Sequence, residues 1–134
     1  MNKIILENDK LIDTLNNKEI NIEYLQNELI GINYLKIELL QDTNLQINYN
    51  LEKLMKLEVE IIVNDNVKAQ IFEKITGTNT KIRTKYKLNE NAKLTTTKFN
   101  DIETIKEYAI IYLEGKNSNI KYNLKTISKN KVLL

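Results

Sequence analysis

Between Glu58 and Ile71 the chain alternates apolar and polar positions twice. Val59, Ile61 and Val63 share one side of an extended segment, with Glu58 and Glu60 on the other; beyond Asn64, Asp65 and Asn66 a second alternation runs through Val67, Ala69 and Ile71. Period-two patterning on both sides of a polar triplet predicts strand, sharp corner, strand. The design recurs from Thr84 to Thr95 and from Ile110 to Tyr122, with a looser copy from Ile37 to Tyr49. Aligned on Asn44, Asn66, Asn91 and Asn117, the copies step by about 22, 25 and 26 residues, within the range of solenoid repeats.

The remainder divides around these copies. Residues 1–33 carry a mixed pattern: Leu11, Ile12 and Leu15 suit a helical turn after Asp9, Ile20, Ile22 and Tyr24 alternate like a strand, and Ile22, Leu25 and Leu29 also fit a helix. We therefore expect an N-terminal capping segment over 1–33 and a repeat region over 34–134. Gly31 marks the break, and Leu35, Ile37 and Leu39 share a face of the first strand-like copy. Asn50 to Lys56, Glu73 to Lys81 with a turn at Gly77, and Asn100 to Lys106 read as short polar connections. In the first of these, Leu51, Leu54 and Met55 are expected to anchor a loop to the core rather than form a helical turn.

If each copy lies parallel on the next, a step of about 25 residues sets Leu57 on Ile82, Val59 on Thr84, Ile61 on Tyr86 and Val63 on Leu88, and continues through Ala109, Ile111 and Leu113. One apolar column results, so no copy has to bury itself alone. The second limbs align Leu45, Val67, Ala92 and Ser118, then Ile47, Ala69, Leu94 and Ile120. Asparagine suits the corners because it tolerates left-handed backbone, and it can also ladder with the corner above. An antiparallel sandwich shares the alternation, but the regular spacing favours an all-β, parallel β-helix of a few rungs.

Composition narrows the chemistry. At 134 residues and 42% hydrophobic content the chain is the size of one domain, and a net charge of +2 names no partner. The absence of cysteine and histidine removes disulfides, thiolate or imidazole metal sites and the usual nucleophile–base pairs, so no enzymatic role is expected. The absence of proline leaves every strand residue an N–H to donate. The first residues hold only a short apolar run before acids intervene, which fits neither a signal peptide nor a membrane span; a cytoplasmic location is expected.

The stretches Leu57 to Ala69, Leu88 to Leu94 and Tyr112 to Tyr122 resemble the β-helix repeats of the SufB/SufD family, core subunits of the SUF iron–sulfur cluster assembly machinery; the likeness covers roughly residues 34 to 134. The resemblance implies a right-handed parallel β-helix, a cytosolic scaffold for cluster assembly, and partnership with a second β-helix subunit and a SufC-like ATPase. Family members that build clusters use cysteine with histidine and glutamate. This chain has no thiol or imidazole, so no functional residue carries over, and an iron–sulfur cluster is implied by resemblance alone.

Three constellations are candidates for function. Lys81, Arg83, Lys85 and Lys87 fall at every second position and form a comb that could meet an anion, although stacking places Arg83 beside Glu58 and Lys85 beside Glu60 as solvated pairs. No stacking aromatic lies among those four positions, so nucleic acid is not expected. Glu58 and Glu60 supply too few oxygens for a hard cation. Tyr108, Ile110 and Tyr112 share one face, either as an interface or as a row covered from within the chain. The terminal limb Ile120 to Leu124 and the apolar end Val132, Leu133 and Leu134 leave an edge that invites association. The expectation is thus a non-catalytic scaffold that pairs as a homodimer or with another β-helix subunit. The alternative is a β-solenoid module for an anionic or carbohydrate-like ligand.

Overall fold

A computed structural model describes residues 2–13, 17–27, 29–52, 55–78, 80–102 and 105–126. Four strand–corner–strand units follow one another: β4 (Ile32–Leu39) with β5 (Thr43–Leu51), β6 (Met55–Val63) with β7 (Lys68–Gly77), β8 (Thr80–Leu88) with β9 (Lys93–Ile102), and β10 (Ile105–Leu113) with β11 (Asn119–Thr126). Three strands precede them, β1 (Asn2–Glu7), β2 (Lys10–Asp13) and β3 (Ile20–Asn27). The first limbs build one sheet, in the order β10-β8-β6-β4-β3, and the second limbs the other, β11-β9-β7-β5-β1-β2. All pairings between successive units are parallel, which makes the molecule a β-solenoid of two facing sheets. Among the described residues no helix is long and apolar enough to cross a membrane.

The register of the first limbs follows from their alternation. Leu57 pairs with Ile82, Val59 with Thr84, Ile61 with Tyr86 and Val63 with Leu88, and the column runs on to Ala109, Ile111 and Leu113. A slip of one residue would turn every one of these side chains outward, so burial of a single face fixes the pairing. Leu35, Ile37, Leu39, Val59, Ile61, Val63, Ile82 and Leu88 are all buried, each contributing about 1.5–3 kcal/mol of transfer free energy.

The corners use asparagine for its conformational tolerance. Asn66, Asn91 and Asn117 have φ of 61°, 56° and 59°, in the left-handed region that most L-residues avoid. Their side chains form a ladder: Asn91 Nδ2 donates to Asn66 Oδ1 at 3.1 Å, and Asn117 Nδ2 to Asn91 Oδ1 at 3.2 Å. Backbone bonds stack the same corners, Asn66 N donating to Glu90 O and Asn91 N to Lys116 O, both at 2.8 Å.

The first copy departs from the expected alignment. Asn44 is no corner residue; it lies within β5 and pairs with Gln70. Only residues 40–42 separate β4 from β5, so the corner is shorter than its successors, and Leu45 stands over Ile71 and Ile47 over Glu73 rather than over Val67 and Ala69. Asp42 Oδ1 takes over the linking role by accepting the Lys68 N–H at 2.8 Å. The connections are shorter than their polarity implied, because Glu73 to Gly77 belongs to β7 and Asn100 to Ile102 to β9.

In the N-terminal region the strand readings prevail. Leu11 and Ile12 lie in β2, and Ile20, Ile22 and Tyr24 in β3. β1 runs parallel to β5 within the sheet of second limbs, whereas β2 and β3 are antiparallel to β1 and β4 and end the parallel stack at both edges. Tyr24 Oη donates to Asp9 O at 2.8 Å and ties β3 to the turn between β1 and β2. Leu15, Leu54, Val132, Leu133 and Leu134 lie outside the described residues.

Candidate functional site

Along the solenoid axis the interior changes from aliphatic to ionic. One inward column reads Ile4, Ile47, Glu73, Lys98 and Leu124, and its neighbour Leu45, Ile71, Thr96 and Tyr122. Glu73 and Lys98 are both fully buried. Charges removed from water cost several kcal/mol unless they are paired, and here the pairing is extensive. Glu73 Oε2 accepts from Tyr86 Oη at 2.7 Å and Thr96 Oγ1 at 2.8 Å, and Oε1 from Tyr49 Oη at 3.3 Å. Lys98 Nζ lies 2.7 Å from Glu107 Oε1, with side-chain exposures of 0% and 8%. Glu107 also accepts from Tyr122 Oη at 3.0 Å and from Asn100 Nδ2 at 3.5 Å.

The electrostatics keep the donors donating. Burial lifts the Tyr49 and Tyr86 phenols well above their ordinary range, and the Glu73 carboxylate adds to it. Tyr122 is pushed up to about 12, again chiefly by burial. For Lys98, burial pulls the pKa down, but the fields of Glu73 and Glu107 outweigh it and hold the ammonium above its usual value. Its Nζ stands 5.5 Å from the Tyr86 ring centroid and 5.6 Å from that of Tyr122, and the two rings meet edge to face at 71°. Apart from Glu107, no hydrogen-bond acceptor for Nζ is found among the described residues, and the buried Asn100 Oδ1 and Thr84 Oγ1 also lack partners there.

This cluster reaches into the last described rung through Glu107 on β10 and Tyr122 on β11, and no further rung covers that rung among the described residues. Ile111, Leu113 and Leu124 point inward by register yet are 40%, 53% and 49% exposed, whereas Ile61, Val63, Ile47 and Leu88 in earlier rungs are buried. β10 and β11 each end a sheet. Among the described residues the asparagine ladder likewise ends at Asn117, which donates to Asn91.

The comb and the tyrosine row lie on the outer face of the sheet of first limbs, in the expected register: Tyr108 beside Arg83, Ile110 beside Lys85 and Tyr112 beside Lys87. Two of the four cations are engaged, Arg83 with Glu58 at 3.8 Å and Lys87 with Glu60 at 3.2 Å; the second is a diagonal pair where Lys85 was the expected partner. Lys81 Nζ sits 5.7 Å from the Tyr108 ring centroid. A groove of about 520 Å³ crosses this face; its lining carries three acids, Glu23, Glu58 and Glu60, and three bases, Lys36, Arg83 and Lys85, which balance. Val132, Leu133 and Leu134, the remaining interface candidates, are outside the described residues.

Sequence reasoning missed the ion cluster because Glu73 was assigned to a loop. The signal was present in the repeat itself, since one step of about 25 residues carries Glu73 onto Lys98 at an inward position. Among the described residues no group of three or more acidic, histidine or cysteine side chains is placed to hold a metal. Comparison with protein-family models, curated proteins and solved structures finds no match to this chain.

Proposed function

We propose that the chain is an assembly scaffold that acts through its open terminal rung, pairing end to end with a second β-helix, another copy of itself when alone and a partner subunit's β-helix in a SufB/SufD-like assembly. The observation that carries this reading is the exposure of Ile111, Leu113 and Leu124, core positions in register with no further rung over them among the described residues. Apolar surface of this kind, bordered by two unpaired sheet edges, is the feature that β-sheet proteins otherwise cover. At the opposite end β2 and β3 reverse direction, so the two ends are inequivalent and association is directed to one of them. The role in iron–sulfur cluster assembly rests on the resemblance of the repeats, and the chain's own contribution is structural.

Affinity capture tests the proposal, with the tagged chain as bait for a SufC-like ATPase and for a second β-helix subunit. The β-helix partner and the ATPase should be retained by the parent protein, and the β-helix partner lost from an Ile111→Lys variant. Retention of neither by a folded parent protein would remove the scaffold reading.

A further inference from the structure

On the outer face of the first-limb sheet, charges alternate from strand to strand. One column runs Glu23, Lys36, Glu60 and Lys85, each beside an opposite charge. The column at the start of the strands breaks this rule. Lys56 pairs in register with Lys81, and Lys81 with Lys106, so three lysines stack on three successive parallel strands about 4.8 Å apart. All three are exposed. The ion pairs on this face involve Lys36, Arg83 and Lys87, and no described acid lies within ion-pair distance of the three stacked lysines. Like charges directly opposite on a sheet are destabilising, so the column works against the fold unless an anion neutralises it.

Tyr108 adds a second element. Its ring is exposed on the same face, with Lys81 Nζ 5.7 Å from the centroid, Lys106 two residues earlier on the same strand and Arg83 directly across. An exposed ring with the Lys81 ammonium over it suits an acidic sugar, whose C–H face packs on the aromatic as its carboxylate or sulfate draws the lysine into an ion pair. The cations recur on three successive rungs along the axis, which fits a chain of such sugars better than a single anion. Nucleic acid fits less well: the sequence pI is about 8.6, below the strongly basic range of nucleic-acid-binding domains.

We propose that Lys56, Lys81, Lys106 and Tyr108 form a binding site for an acidic oligosaccharide laid along the solenoid axis. The site shares β10 with the open rung but uses its outward-facing side chains, opposite the inward-facing Ile111 and Leu113, and does not rest on the association proposed above.

Calorimetric titration tests it, with a hexamer of galacturonic acid, a sulfated hexasaccharide, a neutral maltohexaose and a single-stranded oligonucleotide as probes. At least one acidic sugar should bind, with the carboxylated and sulfated probes separating the two anion types, while the neutral sugar should not. Replacing all three lysines by alanine should weaken binding at least about tenfold, Tyr108→Ala should weaken it too, and Lys121→Ala on the other sheet should leave it unchanged. Relieved of repulsion, the triple variant should melt no lower than the parent. No binding of either acidic sugar at millimolar concentration, undiminished binding by the triple variant, a lowered melting temperature in that variant, or tighter binding of the oligonucleotide would each overturn the proposal.

Discussion

Lys98 keeps its charge in a dry interior because two carboxylates and two tyrosine rings surround its ammonium. Removing it would leave Glu73 and Glu107 buried without a counter-charge. Lys98→Met is therefore expected to cost about 3–5 kcal/mol of unfolding free energy in urea titration, and adding Glu107→Gln should recover part of that loss. Equal stability of the single variant and the parent would contradict the pairing. The corner asparagines make a second residue-scale case. Asn91→Ala forces an alanine to a φ of 56° and should cost about 1–2 kcal/mol, whereas Asn91→Gly loses the same ladder bonds without the backbone penalty and should be the milder change. Were glycine as damaging as alanine, the ladder rather than the backbone would dominate.

Strand by strand, the first limbs were legible because burial of one face leaves a clear alternation. Val59, Ile61 and Val63 dictated their own register against Thr84, Tyr86 and Leu88. The second limbs were harder to read for two physical reasons. A corner can shorten without disturbing the sheets, as it does at residues 40–42, so an alignment on Asn44 fails although the strands still pair. Polar core residues erase the alternation that identifies a strand, so β7 was expected to end near Glu73 although its inward phase continues to Ile75. Gly77, expected to form a turn, belongs to β7 instead. It closes β7 at a φ of 138°, where a Cβ would fall 1.7 Å from Leu51 O on the neighbouring strand. Gly77→Ala must push β7 from β5 locally, and a loss on the order of 3 kcal/mol is expected in thermal or urea unfolding. A loss within 0.5 kcal/mol would show that the two strands can separate there at little cost.

For the whole molecule, the ionic end of the core sets the response to pH. Tyr49, Tyr86 and Tyr122 have folded pKa values above their ordinary value near 10, and Lys98 is also raised. Groups that hold their protons more tightly in the native state contribute stability that is complete below the unfolded pKa and lost as pH rises through the folded one. The melting temperature should therefore change little up to about pH 10 on account of these groups and fall steeply above it. A profile flat to pH 12 would mean that the three phenols are not buried together. The same end of the solenoid presents Ile111, Leu113 and Leu124 to solvent, which links the polar core to the proposed docking surface.

Sedimentation velocity across a concentration series tests that surface most directly. The parent chain should rise from 15.7 kDa toward about twice that mass in the micromolar range, while a variant carrying Ile111→Lys and Leu113→Lys should remain at 15.7 kDa throughout. A parent that stays monomeric to high micromolar concentration, or a variant that associates equally well, would contradict the account.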